Sequence, residues 1–120
     1  MAQQLTAGQV VCLVGALGAG KSVFARAVGR ALGVSEPMPS PTFTIVAAHQ
    51  GSVPVLHIDL YRLSGPEEFE DLDLDDEMAL AVSLVEWPER APELLQHADY
   101  VVRIALLPDL RREIRIEAHV

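Results

Sequence analysis

The chain of 120 residues contains one cysteine, one lysine and one tryptophan, and each scarcity excludes something. Cys12 has no second cysteine to pair with, which rules out an internal disulfide and fits a reducing, cytoplasmic setting. No apolar stretch approaches the roughly 18 residues that a membrane-spanning helix requires. No charged segment followed by an apolar one opens the chain as a secretory signal would. Three Phe, two Tyr and one Trp are few for a platform on which bases stack. A nucleic-acid binder also needs several cationic phosphate contacts on one face, and no such face is visible. Neither direct nucleic-acid binding nor membrane association is expected.

What is present is a core and a strongly local charge. Half the residues are hydrophobic, enough to build one packed domain of this length. There is no internal repeat and no linker that would divide the chain. The net charge is −8, from 17 acids and nine Lys plus Arg. Eight of those acids lie in residues 67–77, EEFEDLDLDDE, so the other nine balance the basic residues. That run reads as a solvated, self-repelling helical face or, more sharply, as a docking surface for a basic partner.

The order of elements follows from hydrophobic pattern and punctuation. Residues 10–15, VVCLVG, form a short apolar run of the buried-strand type. A glycine-rich break precedes a helix whose apolar stripe is Phe24, Ala27, Val28, Ala31 and Leu32, with Gly33 as its stop. Pro37, Pro39 and Pro41 mark an extended loop. Strands are expected at 42–49 and 53–61, joined as a hairpin. Ser64 and Glu67 have capping-box spacing before an acidic helix reaching about Leu72, with a second turn near 76–80. Residues 82–86 form another apolar strand, stopped by Trp87-Pro88. Residues 100–106 and 112–118 close the chain as strands, the last half-exposed near an edge because Ile114, Ile116 and Ala118 alternate with charged residues. The expected fold is α/β with a mixed sheet, and the G-x-x-x-x-G-K-S pattern of residues 15–22 between the first strand and helix makes it a three-layer P-loop NTPase-like domain with a largely parallel central sheet.

The chemistry sits first in Gly15-Ala16-Leu17-Gly18-Ala19-Gly20-Lys21-Ser22, a complete G-x-x-x-x-G-K-[ST] phosphate loop between strand and helix. Glycines let successive backbone N–H groups turn inward around phosphate oxygens, and the helix start adds partial positive charge. Lys21 would reach the β- and γ-phosphates, and the Ser22 hydroxyl would ligate Mg²⁺. The other eight basic residues are all arginine, so a compact ammonium at Lys21 is a specific choice.

A nucleotide site also needs carboxylates. Asp59 and Glu86 each end an apolar strand, and with the right strand directions both reach the phosphates. Which of them holds Mg²⁺ and which orients water is left open by the sequence. Thr42, after Ser40-Pro41, is a candidate switch residue sensing the γ-phosphate, although a threonine opening a strand is commonly there for β-propensity alone. His57 reads as a structural histidine in mid-strand. His49, His97 and His119 show no metal spacing, and Cys12 reads as a small buried hydrophobe.

GALGAGKSVFARAVGRALG, SPTFTIV, HIDLYRL, GPEEFEDLDLDD and LVEWPER, in this order, resemble the bacterial TsaE (YjeE) family over about residues 5–105. The resemblance implies a small Mg²⁺-dependent P-loop ATPase. Such a protein works with partners of the TsaD and TsaB type, which install threonylcarbamoyl on N6 of an adenosine in tRNA. It further implies that Gly15, Ala16, Leu17, Gly18, Ala19, Gly20, Lys21, Ser22 and Val23 bind ATP and that Ser22 ligates the metal. By the same resemblance Thr42 is the switch threonine, Asp59 the Walker-B-like acid and Glu86 a metal- or water-orienting acid, with Trp87 beside the site. Three positions depart from the family pattern: Ala16 stands where Asp is usual, Val23 where a second hydroxyl is common, and Asp73 where glycine is usual. The family's N-terminal helical segment is also expected to be missing ahead of the first strand. Hydrolysis is expected to be slow alone and stimulated by partners. The rival readings are a nucleotide-dependent adaptor with negligible turnover and a small P-loop kinase.

Overall fold

The computed structural model describes residues 4–16, 18–41 and 44–118. Six strands, β1 (Val10–Val14), β2 (Val46–Gln50), β3 (Pro54–Asp59), β4 (Val82–Glu86), β5 (Tyr100–Leu106) and β6 (Arg112–Ala118), form one sheet in the order β2-β3-β4-β1-β5-β6. The four inner strands are parallel, and β2 and β6 are antiparallel edges. From β4 the chain passes over β1 to reach β5, so the carboxyl end of β1 lies where the strand order reverses. Crevices at such switch points are where open α/β sheets hold ligands.

Both faces of the sheet are covered. On one lies α1 (Lys21–Ala31), packed through Ala25, Val28 and Leu32 on Val11, Leu13, Leu84 and Val102. On the other lie α2 (Pro66–Asp71), α3 (Asp75–Ala79), a 3₁₀ turn at Pro88–Arg90 and α4 (Pro92–Gln96). Their apolar residues, Met78 and Ala91 among them, close over Cys12, Leu56, Ile58 and Val85. Alternate residues of β1 and β4 therefore enter different cores, which is why these strands read as continuous apolar runs. The result is the three-layer α/β architecture expected. The 3₁₀ turn and α4 were not anticipated. No helix among the described residues is long and apolar enough to cross a membrane.

The inward stripe of α1 is rotated from the expected one. Lys21, Ala25, Val28, Gly29 and Leu32 are buried, whereas Ala27 and Ala31 are exposed and Phe24 is only partly buried. In an alanine-rich helix several stripes look alike, and two tertiary contacts choose between them. Lys21 turns back into the loop before it, and Met38 packs against Gly29 so closely that an added Cβ would sit 2.3 Å from its sulfur. Gly33 does end the helix, at φ 90°, with Val34 N–H donating to Gly29 O (2.9 Å) and Gly33 N–H to Arg30 O (3.0 Å). This pair of bonds satisfies carbonyls that the last turn would otherwise leave open. The Ser52 N–H and hydroxyl both donate to Leu32 O, fastening the β2–β3 hairpin to the same helix end.

Two local expectations are corrected. β2 begins at Val46, not at residue 42, because Ile45 takes a left-handed φ of 69° that breaks the extended run. A β-branched residue rarely adopts that conformation. Here Ile45 N–H donates to Pro41 O (2.6 Å) and Asp59 N–H to Ile45 O (2.8 Å), tying the loop to the end of β3. The acidic helix starts one residue later than its expected cap, with Gly65 at N-cap and Pro66 at N1. Ser64 consequently pairs with Glu68 rather than Glu67, through its N–H (3.0 Å) and hydroxyl, and these bonds lower the Glu68 pKa. Asp73, at the joint between α2 and α3, has φ 52°, the left-handed conformation in which glycine is commonest and aspartate is tolerated.

At the far edge all seven residues of β6 are exposed, Ile114 at 49% and Ile116 at 48%. The alternation correctly placed the strand at an edge, but neither of its faces is covered.

Candidate functional site

The loop that leaves β1 runs directly into the amino end of α1, the three-turn helix at the switch point. Gly20, its N-cap, has φ 108°, a conformation strained for any side chain. Phe24 N–H donates to Gly20 O (3.0 Å), opening the helical ladder, and Ala19 N–H donates to Ala16 O (3.0 Å). Ala19 is buried beneath the loop. Leu17 lies outside the described residues.

Lys21 is only 5% exposed. Its Nζ donates to Gly15 O (2.5 Å) and Ala16 O (3.0 Å) and lies 4.1 Å from the centroid of the Trp87 ring. Burial lowers its pKa, against the opposing pull of Glu86, Glu89 and Asp59. Trp87 itself has φ 57°, a left-handed conformation that costs energy for a bulky residue. Its ring packs at 52° on Tyr61, centroids 4.9 Å apart. A strained residue thus carries an aromatic cover over the loop's ammonium.

Parallel pairing of β3 and β4 sets Asp59 beside Glu86, and Glu86 beside Leu13 of β1. Both carboxylates are buried, at 5% and 3% exposure. The Glu86 oxygens accept from the Ser22 hydroxyl at 3.0 and 2.9 Å, and Oε2 also meets His57 Nε2 at 2.5 Å. Asp59 Oδ1 accepts from Tyr61 N–H (2.9 Å), which fixes the carboxylate where β3 ends.

One cleft of about 370 Å³ is lined by Lys21, Ser22, Asp59, Glu86 and Trp87 together with Gly18, Gly20 and Val23. The structure thus gathers predicted residues from three separate segments of the sequence, 18–23, 59 and 86–87. Val23 is largely exposed at its rim, and Thr42 lies outside the described residues, although its neighbour Ser40 reaches the cleft. Sequence reasoning missed three participants. His57 was read as structural, yet it contacts Glu86. Tyr61 stood in HIDLYRL without a role. Arg112 enters the cleft from β6, and its only signal was that it shares the alternating face of Ile114 and Ile116.

The donor set consists of a hydroxyl and two carboxylates, all hard oxygens. It suits Mg²⁺ bound through one or two protein oxygens with phosphates completing the shell. Among the described residues no three His, Cys, Asp or Glu side chains gather into a metal centre of their own. A second cleft, about 400 Å³, lies among α2, α3 and α4, with Phe69 and Leu94 in it and Glu70, Asp73, Asp75 and Glu93 around it.

A family model described as threonylcarbamoyl adenosine biosynthesis protein TsaE matches residues 1–114. Among relatives named tRNA threonylcarbamoyladenosine biosynthesis protein TsaE, that of Treponema pallidum is 36% identical over 93% of this chain and 84% of its own. That of Streptomyces coelicolor is 44% identical over 87% of this chain and 73% of its own. That of Synechocystis is 41% identical over 78% of this chain, which spans 63% of the relative, less than two thirds of its length. The crystal structure of Bacillus subtilis YdiB superposes with a TM-score of 0.76 at 31% identity, over 98% of this chain and 72% of that one.

Proposed function

Since the chain belongs to the TsaE family of threonylcarbamoyl adenosine biosynthesis proteins, we propose that it is an ATP-binding and ATP-hydrolysing subunit of the tRNA N6-threonylcarbamoyladenosine machinery. It acts as a single Mg²⁺-dependent P-loop domain in the cytoplasm, on partner proteins of the TsaD and TsaB type rather than on RNA directly.

The observation that carries this reading is the contact between the Ser22 hydroxyl and the Glu86 carboxylate, next to Lys21 in sequence and at the mouth of a glycine loop. A phosphate-loop hydroxyl and an acidic strand end in direct contact form the pair that holds a metal against nucleotide phosphates. Bound Mg²⁺ would neutralise phosphate charge and hold the terminal phosphates in one orientation.

The chain's own residues supply the rest. Lys21 exchanges the carbonyls of Gly15 and Ala16 for β- and γ-phosphate oxygens, leaving the face of Trp87 as it does so. Amides of residues 18–23 surround the phosphates, and the start of α1 adds its partial charge. Glu86 and Ser22 would hold the cation. Asp59, anchored by Tyr61 N–H and linked through its own N–H to the loop at Ile45, orients the attacking water, and Thr42 is assigned the switch role that the family resemblance gives it. Because Trp87, in a strained left-handed conformation, covers the site together with Tyr61, turnover is slow until a partner repositions them.

Calorimetric titration of MgATP, with turnover measured with and without the partner proteins, tests the proposal. Wild type should bind ATP, Lys21→Ala should lose tight binding, and partners should raise turnover. An unchanged dissociation constant in Lys21→Ala, or equally fast turnover without partners, would overturn it.

A further inference from the structure

We propose that β6 is a self-pairing edge. Two copies of this chain join β6 to β6 antiparallel, so that two six-stranded sheets become one across a two-fold axis at Ile114. The inference concerns the far edge of the sheet and does not depend on the nucleotide reading.

The edge is open. β6 ends the strand order, and all seven of its residues are exposed. It pairs with β5 in unbroken register, from Tyr100 opposite Ala118 to Leu106 opposite Arg112. It carries no bulge, proline or lysine, the devices by which sheet edges are commonly blunted. Leu107 N–H donates to Arg111 O (2.7 Å), which turns that main-chain group of Arg111 toward β5. Bonding directions alternate along an antiparallel ladder. Residues 113, 115 and 117 therefore also face β5, and residues 112, 114 and 116 turn their N–H and C=O groups to the free edge.

The side chains select the partner. Two such edges join only where even-numbered residues of one oppose even-numbered residues of the other. With Ile114 opposite its own symmetry mate, Arg112 faces Ile116, Glu113 faces Arg115 and Arg111 faces Glu117, each pair occurring twice. Slipping one strand by two residues one way sets Arg115 on Arg115 and Glu113 on Glu117. The same slip the other way sets Glu113 on Glu113 and Arg111 on Arg115. A slip of four toward the chain end keeps only the Arg115–Glu117 contact. Opposite charges directly across a strand pair stabilise it, and like charges destabilise it. A pattern of mixed sign that matches itself in one register fits a second copy, not a strand of one charge.

Each face of the strand gains from this pairing. Within its own sheet Arg115 lies directly opposite Arg103, like on like. The second copy brings Glu113 to its other side. Arg115 is now paired with Glu113 of its own strand at 3.2 Å, but both side chains are largely exposed, and such surface pairs contribute little. The exchange therefore costs little. On the opposite face Ile114 and Ile116 stand across from Ile104 and Val102, which belong to the core under α1, yet they are 49% and 48% exposed. The two-fold sets one Ile114 against the other, with each Ile116 on the diagonal, within side-chain reach. Apolar surface is covered on one face while ion pairs form on the other.

Sedimentation of the full chain at rising concentration tests the proposal. Wild type should shift reversibly from monomer to dimer with a dissociation constant of about 100 µM, the weak range of a small interface. Glu113→Arg and Arg115→Glu should each raise that constant about tenfold or more, since each sets like charges opposite one another twice. An equimolar mixture of the two variants should dimerise again, because the changed charge of each copy then meets its opposite in the other. The double variant should recover dimerisation for the same reason. This rescue also establishes that the single variants are folded. Wild type that stays monomeric throughout, as it would if the edge served a different protein's strand, would overturn the proposal. So would single variants that dimerise like wild type, which would place the contact on the isoleucine face or in another register, or a mixture that fails to associate.

Discussion

His57 Nε2 lies 2.5 Å from Glu86 Oε2, with the imidazole fully buried and the glutamate 3% exposed. The same carboxylate accepts from the Ser22 hydroxyl, so the histidine in mid-β3 sets the orientation of the acid that faces the helix start. A histidine there is therefore a positioning residue for Glu86, not only a filler of the core. The arrangement has a structural cost as well: His57 Nδ1 is buried with no hydrogen-bond partner among the described residues, an arrangement folded proteins usually avoid.

Removing one member of a buried hydrogen-bonded pair leaves the other short of a partner, at a cost of about 1–3 kcal/mol. His57→Ala should destabilise the protein on that scale in urea unfolding, whereas His57→Gln, which retains a donor, should cost less. Glu86→Gln should lower ATP turnover about 100-fold or more while ATP still binds. His57→Gln should raise the Mg²⁺ concentration needed for half-maximal turnover. Mg²⁺ dependence identical to wild type would reduce His57 to a structural role.

Lys21 and Trp87 supply an optical measurement. The ammonium sits 4.1 Å from the centre of the chain's only indole ring. MgATP should draw the ammonium away and change tryptophan emission in a saturable manner. Lys21→Ala, which has no cation to move and no tight site, should show no such change at the same concentrations. Superimposable titrations for the two proteins would count against the exchange of Lys21 partners.

Cys12 carries the clearest acid–base consequence. Burial, reinforced by Glu89, pushes its thiol up to about 12 from 9.0. The folded state thus keeps its proton where the unfolded state has lost it. This stabilisation is complete below about pH 9 and is lost as pH rises from there toward 12. Wild type should therefore lose stability more steeply over that range than Cys12→Ala, as denaturant midpoints at successive pH values would record. At pH 8 the native thiol should resist alkylation and react only on unfolding. Rapid labelling of the native protein would contradict the burial.

Gly33 tests the join between α1 and the β2–β3 hairpin. Its φ of 90° is disfavoured for any other residue, and an added Cβ would lie 3.0 Å from the Ser52 nitrogen. Gly33→Ala should cost about 1–2 kcal/mol, seen as a lower denaturant midpoint. ATP affinity should stay unchanged, because the helix end it perturbs is three turns from the phosphate loop. A neutral substitution would mean that this helix end is less constrained than its hydrogen bonds indicate.

The phosphate loop was legible because its chemistry is contiguous: the backbone conformations and the ammonium it requires occupy eight successive positions, 15–22. The strands were legible for a related reason, since burial on both faces leaves an unbroken apolar run, as in VSLVE. The stripe of α1 was not, because alanines at 25, 27 and 31 satisfy more than one helical face. Only the inward turn of Lys21 and the packing of Met38 on Gly29 choose between them. The start of β2 was misread because the left-handed turn at Ile45 depends on partners at Pro41 and Asp59, not on its own preference.

The sequence by itself determined the local conformations: a glycine loop able to curl, a helix to follow it, apolar strands ending in Asp59 and Glu86, and a reversal at Gly33. Those rest on short-range sterics and on solvation, which nearest neighbours dictate. The tertiary structure alone decided which of these ends share a cleft. Asp59 and Glu86 become neighbours through the register of β3 on β4, His57 meets Glu86 through the same pairing, and Arg112 reaches Ala19 because β6 folds back along β5. Such contacts depend on strand order across the sheet, a property of the whole chain's packing that no single segment encodes.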